Sequence, residues 1–424
     1  MTVLATQAEA YARRHYVLGV LGLVCFFNYM DRYLIRVLLE PIKADLHITD
    51  TQAGLLMGFG FALVYACFGV PLGRLADKKS RILLLSGAII VWSVMTAVSG
   101  LARNFFHLLL ARAGVAFGEA GCVPAAHSLI ADHFPPKERA FAISLFQSVG
   151  IFGAMLGTML GGVLAEAFGW RWTFVILGAP GVLIGLLALF TIREPERSGV
   201  ATSSSADKSN DNMFSAVGGL LRQRAYRHIV LAIALENFVS IGVGAWTLAF
   251  FMRVHDMSLA EVGLWLGALS GVGGVVGTLV GGAASTRLVG RDRRWEVWLP
   301  AAAAGAALPL YLVSFLSPVA TIAVGAAFAT AFITQLGNGA GLASIQSVAP
   351  PESRALAVSL LLFANAVIGL GLGPLAVGMI SDWFQPTAGD LSLRYALLAV
   401  LVVSVWSIAH FLLAARSFRQ DVRT

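Results

Sequence analysis

The sequence is short of charge. Asp, Glu, Lys and Arg make up 12% of its 424 residues, against 58% apolar. Soluble globular chains carry about 25% charged and roughly 45–50% apolar residues. A soluble chain of this length would need a polar surface that this composition cannot supply, and the mean hydropathy is +0.79. Cysteine is scarce too. Cys25, Cys67 and Cys122 each lie in an apolar run with no metal-ligand spacing, so small buried hydrophobes are expected, with neither a disulfide framework nor a metal site. No Gly-Lys pair occurs anywhere, which excludes a Walker A loop and transport driven by ATP. Glycine-rich pieces such as GVGGVVG (271–277) lack the preceding strand of a nucleotide fingerprint. No His/Asp/Glu constellation suits a membrane-embedded enzyme, and a channel would want pore-lining rings supplied by oligomer symmetry. The first sixteen residues contain no basic-then-apolar leader with a cleavage site, so the first apolar run is expected to remain in the mature protein.

Long apolar runs are abundant. Twelve reach the roughly 20 residues that span a bilayer, at about 16–39, 52–73, 82–102, 105–131, 140–165, 172–192, 228–252, 262–286, 296–316, 319–347, 355–380 and 394–416. All are read as helices, because open strands cannot satisfy their backbone in lipid. The expected fold class is an all-α polytopic membrane protein of 12 transmembrane helices in two pseudo-symmetric six-helix bundles. With the N-terminus inside, 22 of the 30 Lys and Arg residues fall in cytoplasmic segments, five in outer loops, and Arg32, Arg36 and Arg112 inside helices. That bias predicts an inner-membrane protein with both termini cytoplasmic, and the net charge of +7 reads as topology rather than as nucleic-acid binding.

The chain divides at a Ser/Asp/Asn-rich break. An N-terminal bundle is expected over 1–192, a cytoplasmic linker over 193–226 and a C-terminal bundle over 227–424. The linker centre reads as disordered, and its end, 213–226, as an interfacial helix turning Arg222 and Arg224 to lipid headgroups. The halves repeat: PPKERAFAISL (135–145) and PPESRALAVSL (350–360) agree at seven of eleven positions, 215 residues apart. A repeat of the same topology implies two parallel bundles and a substrate path between them. Glycines spaced by four, at 153, 157 and 161, at 263, 267 and 271, and at 273, 277 and 281, predict close helix packing.

Three charges interrupt the first apolar run, in NYMDRYLIR (28–36). Ionisable groups at membrane depth cost about 2.5–3.5 kcal/mol each on insertion scales and persist when paired or functional. At 1.5 Å per residue Asp31 lies roughly 22 Å from the inner end of its helix, and Arg112 about 10–12 Å from the outer end of the fourth, so the depths match. Glu119 shares a face with Arg112 two turns on. The cluster has two readings. A static pairing of acids and arginines would staple the first bundle. Alternatively, Asp31 and Glu119 exchange protons while Arg32 and Arg112 act as their partners or hold an anionic headgroup, with either carboxylate able to be the primary site. Asn28, Tyr29 and Arg36 are further candidate substrate or charge partners; Arg36 either snorkels to the outer surface with Glu40 or forms the rim of the same site. Glu236, a third of the way into the seventh helix, either faces the cavity or pairs near its inner end. Gln335, Asn338 and Asn365 read more as interhelical glue than as ligands, and His127 as a packing residue.

GRLADKKSR (73–81), after the second helix, resembles the conserved loop of the major facilitator superfamily, with Ser80 in place of the usual glycine. The resemblance implies the fold of that superfamily and a cytoplasmic gate at Gly73, Asp77 and Arg81, joined by Arg139. Asp77 could face the N-terminus of the eleventh helix near 353–355 in one conformation only; topological charge alone would explain the basic residues but not the acid. The matching loop of the second half, GGAASTRLVGRDRR (281–294), has Thr286 where the acid should be. NYMDRYLI (28–35), RAGVAFGEAG (112–121), PAAHSLIADHFPPKERA (124–140) and REPER (193–197) further resemble the Spinster group, most clearly in the N-terminal half. That resemblance implies a monomeric carrier, not an enzyme, moving amphipathic lipids such as lysophospholipids or sphingolipid-like molecules. It also implies a proton gradient as energy source and no bound cofactor. The alternative is an organic-anion or drug carrier of the same superfamily.

Overall fold

The structure, a computed structural model, describes residues 2–78, 80–192, 194 and 210–422. Every regular element among them is helical. In the first half these are α1 (Thr2–Val37), α2 (Leu39–Leu46), α3 (Asp50–Met57), α4 (Phe59–Lys78), α5 (Arg81–Ser99), α6 (Phe105–Ala120), α7 (Cys122–His133) and α8 (Pro136–Thr191). Then come α9 (Asn210–Arg222), α10 (Arg224–His255), α11 (Leu259–Val289), α12 (Trp295–Leu316), α13 (Ala320–Leu336), α14 (Asn338–Val348), α15 (Arg354–Ala364), α16 (Gly373–Ala388), α17 (Ser392–Val400) and α18 (Val402–Asp421).

Among the described residues, ten segments are long and apolar enough to cross a membrane. Two of them, Lys137–Thr191 with 55 residues and Pro351–Asp421 with 71, are each long enough for two crossings, which gives twelve. Each long segment is broken at a glycine with positive φ. Gly169 sits at φ 78° inside α8 and Gly389 at φ 54° after α16, in a region where a Cβ would be strained. Both turns are therefore glycine by necessity. The interfacial helix differs from the sequence expectation. It runs as α9, stops at Arg222, and Arg224 opens α10 after an extended Gln223. The linker centre lies outside the described residues.

The chain clusters into two compact units. One comprises Met1–Ile48, Gly60–Val200 and Ser258–Gly267, the other Thr49–Phe59, Ala201–Met257 and Ala268–Thr424. In the N-terminal unit α1 lies along α8. A Cβ at Gly153 would meet the Phe26 carbonyl oxygen at 2.1 Å, and one at Gly157 the Met30 side chain at 2.6 Å, so the spacing by four is a backbone-to-backbone seam. Gly153→Ala is expected to lower the thermal midpoint and the monodisperse yield. Gly69→Ala, with nothing within 4 Å of its Cβ, should leave both unchanged.

In the C-terminal unit the ridge at Gly273, Gly277 and Gly281 meets α13 at Phe328, Phe332 and Leu336. α3 also packs here: a Cβ at Gly54 would approach the Pro374 carbonyl to 2.6 Å. Arg253 on α10 holds Asp50 bidentately at 2.7 and 2.8 Å, Ser381 donates to the same carboxylate at 2.6 Å, and Asp382 accepts the backbone N–H groups of Asp50 and Thr51. This caps the N-terminus of α3 with a carboxylate where the helix dipole favours one.

The internal repeat extends into backbone geometry. The fourth crossing breaks between α6 and α7 at Gly121 (φ −87°, ψ −14°), and the tenth between α13 and α14 at Gly337 (φ −86°, ψ −13°). A second sequence repeat, Arg-His-x-Val-Leu at 14–18 and 227–231, opens the first and seventh crossings. Of the cysteines, Cys25 and Cys122 are buried, but Cys67 is exposed. It sits on α4, and its exposure departs from the buried position expected from sequence.

Candidate functional site

Asp31 is reached from α1, Thr96 from α5, and Arg112 and Glu119 from α6. α6 places Arg112 and Glu119 two turns apart on one face, and both are buried with Asp31. The pairs cross between helices. Arg112 Nη1 donates to Asp31 Oδ2 at 3.0 Å, and Thr96 Oγ1 to Asp31 Oδ1 at 2.7 Å. Arg32 Nε donates to Glu119 Oε2 at 2.5 Å. All four charges forecast from sequence thus meet in one cluster, while Thr96 carried no sequence signal beyond a polar residue in an apolar run.

The two pairs differ in access. The side chains of Arg112 and Asp31 are 3% and 5% exposed, whereas Arg32 is 26% exposed over a fully buried Glu119. Arg32 also lies over the rings of Tyr65, Phe61 and Tyr29, at 5.1, 5.3 and 5.9 Å, so aromatic faces share its charge. Hydrogen-bonding capacity is left over in the cluster. Arg32 Nη2, Arg112 Nε, Glu119 Oε1 and Asn28 Nδ2 are buried without a partner. Such groups carry a desolvation cost of about 1–3 kcal/mol each, which a ligand or a rearranged pair would relieve. The Arg36 guanidinium lies 4.3 Å from the Tyr33 ring.

Glu236 belongs to the C-terminal unit. It lines a cavity there together with Asn237, Gln335, Asn338 and Asn365. The amides do bind one another, Asn237 to Asn365 at 3.2 Å and Asn338 to Gln335 at 3.3 Å, but they do so around open space. Asn365 begins a π-helical stretch, Asn365–Leu372, and such stretches are frequent at functional sites. His127 packs edge-on against Phe146 at 5.6 Å, but its buried Nε2 has no hydrogen-bond partner, so it is packed without being satisfied.

The residues of the expected gate separate into described and undescribed. The side chain of Asp77 lies outside the described residues. Gly73 is half-buried with nothing within 4 Å of its Cβ position. Arg81 is the centre of a cluster in the N-terminal unit, with Asp132 at 2.5 Å, Glu194 at 2.9 Å and the Ser128 hydroxyl at 2.9 Å. Arg139 is exposed and donates to the Phe134 carbonyl at 2.9 Å, closing the end of α7. In the second half the position of Thr286 carries no acid, and the acid of that loop is Asp292. It pairs with Arg294 at 2.9 Å and with Arg419 at 2.6 Å, and hydrogen bonds from Arg294 hold its carboxyl well below the usual range. Its place six residues past Thr286 hid it from a motif comparison.

Glu194 offers a pH test. Partial burial would raise its pKa, but hydrogen bonds from Ser80, Arg81 and the Ile82 N–H outweigh this and hold it below the ordinary value. A carboxyl depressed on folding adds stability that is complete above its unfolded pKa of about 4.3 and is lost as pH falls through the folded value. The thermal midpoint of Glu194→Gln should therefore fall below that of the native chain by a constant amount above about pH 5.5. The gap should shrink below about pH 4.

The Major Facilitator Superfamily model matches residues 21–374. The chain belongs to that superfamily. A curated relative from Mycolicibacterium smegmatis, named an MFS-type efflux pump, is 35% identical over 95% of this chain and 93% of its own. The sphingosine-1-phosphate transporter SPNS2 of Danio rerio is 28% identical over 95% of this chain and 84% of its own. A crystal structure of a bacterial homolog to the human lysosomal transporter Spinster, inward-facing and unoccupied, superposes with a TM-score of 0.88. That protein is 32% identical, with 97% of this chain and 99% of the other covered. The likeness to Spinster thus spans both halves of the chain. A superfamily member of this kind is a transporter rather than an enzyme, and its twelve helices are those of the fold.

Proposed function

We propose that the chain is a proton-coupled secondary transporter that moves amphipathic, single-chain lipids across the inner membrane by alternating access. It acts as a monomer with both termini cytoplasmic, and its functional divisions are 1–192, 193–226 and 227–424. The gradient supplies the energy and no bound cofactor is required. The observation that carries this reading is the crossed pairing of Asp31 with Arg112 and of Glu119 with Arg32. Each carboxylate has a partner it can surrender, and the guanidiniums stay charged while they do so. A carboxylate that exchanges its arginine for water or an anionic headgroup changes its proton affinity between states. The unmatched donors on Arg32 and Arg112 suit a phosphate, which arginine holds bidentately. The relative named a sphingosine-1-phosphate transporter supports a lipid of that chemistry.

Asp77, Gly73, Arg81 and Arg139 are assigned to the cytoplasmic gate, and Asn28, Tyr29 and Arg36 to the substrate rim. A drug or organic-anion carrier is the second reading, favoured by the 35% identity to a protein named an efflux pump. Proteoliposome flux under an imposed pH gradient separates the two. A lipid carrier moves lysophospholipids and long-chain amine phosphates with a dependence on chain length. An anion or drug carrier moves small acids or drugs with none.

A further inference from the structure

The cavity of the C-terminal unit has a volume of about 410 Å³, within the range of small-molecule sites. It differs in charge from the cluster of the other unit. Among the described residues lining it there is no lysine or arginine. Its one carboxylate, Glu236, has a buried Oε2 that accepts no hydrogen bond. The repeat explains how this arose. Glu119 lies two residues before the break at Gly121, and the corresponding position before Gly337 is Gln335, a neutral amide. The carboxylate of this half comes from α10 instead, and no arginine accompanies it.

What remains is one carboxyl group, in hydrogen-bond contact with Ser407, in a cavity lined by amide and hydroxyl groups, Asn237, Ser240 and Asn338 among them, with an apolar side that includes Phe411. An uncompensated carboxylate in a low-dielectric pocket is costly and favours a cation. A primary ammonium offers three N–H donors and no acceptor, which matches a carboxylate sharing its cavity with Asn237 and Asn338, whose amide N–H groups are turned to Asn365 and Gln335, and the apolar wall accommodates the first methylenes of its chain. We infer that this cavity binds a protonated primary amine, with Glu236 as its counter-ion and Asn338 contributing to the rim. Assigning the amine to the transported molecule, as an amphiphile carrying both an anionic and an amino group, rests on the proposed function. The amine site itself does not.

The test uses the full chain in lipid nanodiscs and reads the thermal midpoint against concentration of hexylammonium chloride, hexanol, sodium hexanoate and sodium chloride, since a ligand of the native state raises it by mass action. Hexylammonium is expected to stabilise saturably and the other three not to. Glu236→Gln should weaken the hexylammonium response about 10–100-fold, the range for a hydrogen bond to a charged group. Asn338→Leu, at an exposed position of the rim, should weaken it as well and serves if the first variant does not fold. Asp31→Asn should retain amine binding, so a failure of lipid flux and a failure of this site are told apart. Equal responses to hexanol and hexylammonium, saturable stabilisation by sodium, or an unchanged affinity in both cavity variants would overturn the inference.

Discussion

Asp31→Asn and Glu119→Gln are each expected to abolish gradient-driven accumulation in the folded, reconstituted protein, with Asp31→Asn also lowering the thermal midpoint because it strands the buried Arg112. Each pH unit of gradient is worth 1.36 kcal/mol per proton, a factor of ten in concentration. With two units, a carrier coupled to one proton sustains up to about 100-fold accumulation, and an uncoupled one returns to about onefold. The substitutions keep shape and remove the titrating group. Asn at position 31 can still receive the Thr96 hydroxyl, and Gln at 119 can still receive Arg32 Nε. Passive exchange of substrate at equal concentrations should survive better in Glu119→Gln, whose partner Arg32 retains contact with three aromatic rings. In Asp31→Asn, Arg112 is left buried at 3% exposure without a counter-charge, so exchange should fall as well. A variant that keeps full gradient-driven accumulation removes its residue from the coupling.

The largest expected effect on stability comes from the same pair approached from the other side. Removing one partner of a buried ion pair costs about 3–5 kcal/mol, because the remaining charge stays desolvated, whereas replacing both with apolar groups is often neutral. Arg112→Met strands Asp31 in a site that is 5% exposed, with only the Thr96 hydroxyl left to it. It should lower the thermal midpoint markedly. Arg112→Met combined with Asp31→Leu should recover most of the loss while remaining inactive in transport. Arg32→Met is expected to be milder, because Arg32 is 26% exposed and water can reach the space it leaves. Thermal unfolding of the three variants in one lipid composition orders them. Equal losses for Arg112→Met and the double variant would show that packing, not charge, dominates the site.

The twelve crossings and the charged cluster were legible in the sequence for the same reason. In a bilayer, apolar length and misplaced charge are the strongest signals a chain can carry. The helical period brought Arg112 and Glu119 to one face, and depth counting brought Asp31 beside them. What remained hidden was set by tertiary contacts. The exchange of partners, Arg112 with Asp31 and Arg32 with Glu119, depends on the crossing of α1 and α6, which no local pattern encodes. The breaks at Gly121 and Gly337 lie in runs that read as continuous helix. The amides at 237, 335, 338 and 365 look like glue when taken one at a time and like a cavity wall only when assembled. The ion pairs of Asp292 with Arg294 and Arg419 were hidden as well, because Arg419 lies 127 residues on and no fixed spacing joins the two.

Proton movement measured directly tests the coupling most closely. Proteoliposomes loaded with a pH-sensitive dye and given a lysolipid with no imposed gradient should show a substrate-dependent pH change in the native protein. The change should be absent in Asp31→Asn and in Glu119→Gln and present in Gly69→Ala. Substrate flux accompanied by no pH change in the native protein, or the same pH change in both carboxylate variants, would contradict the account.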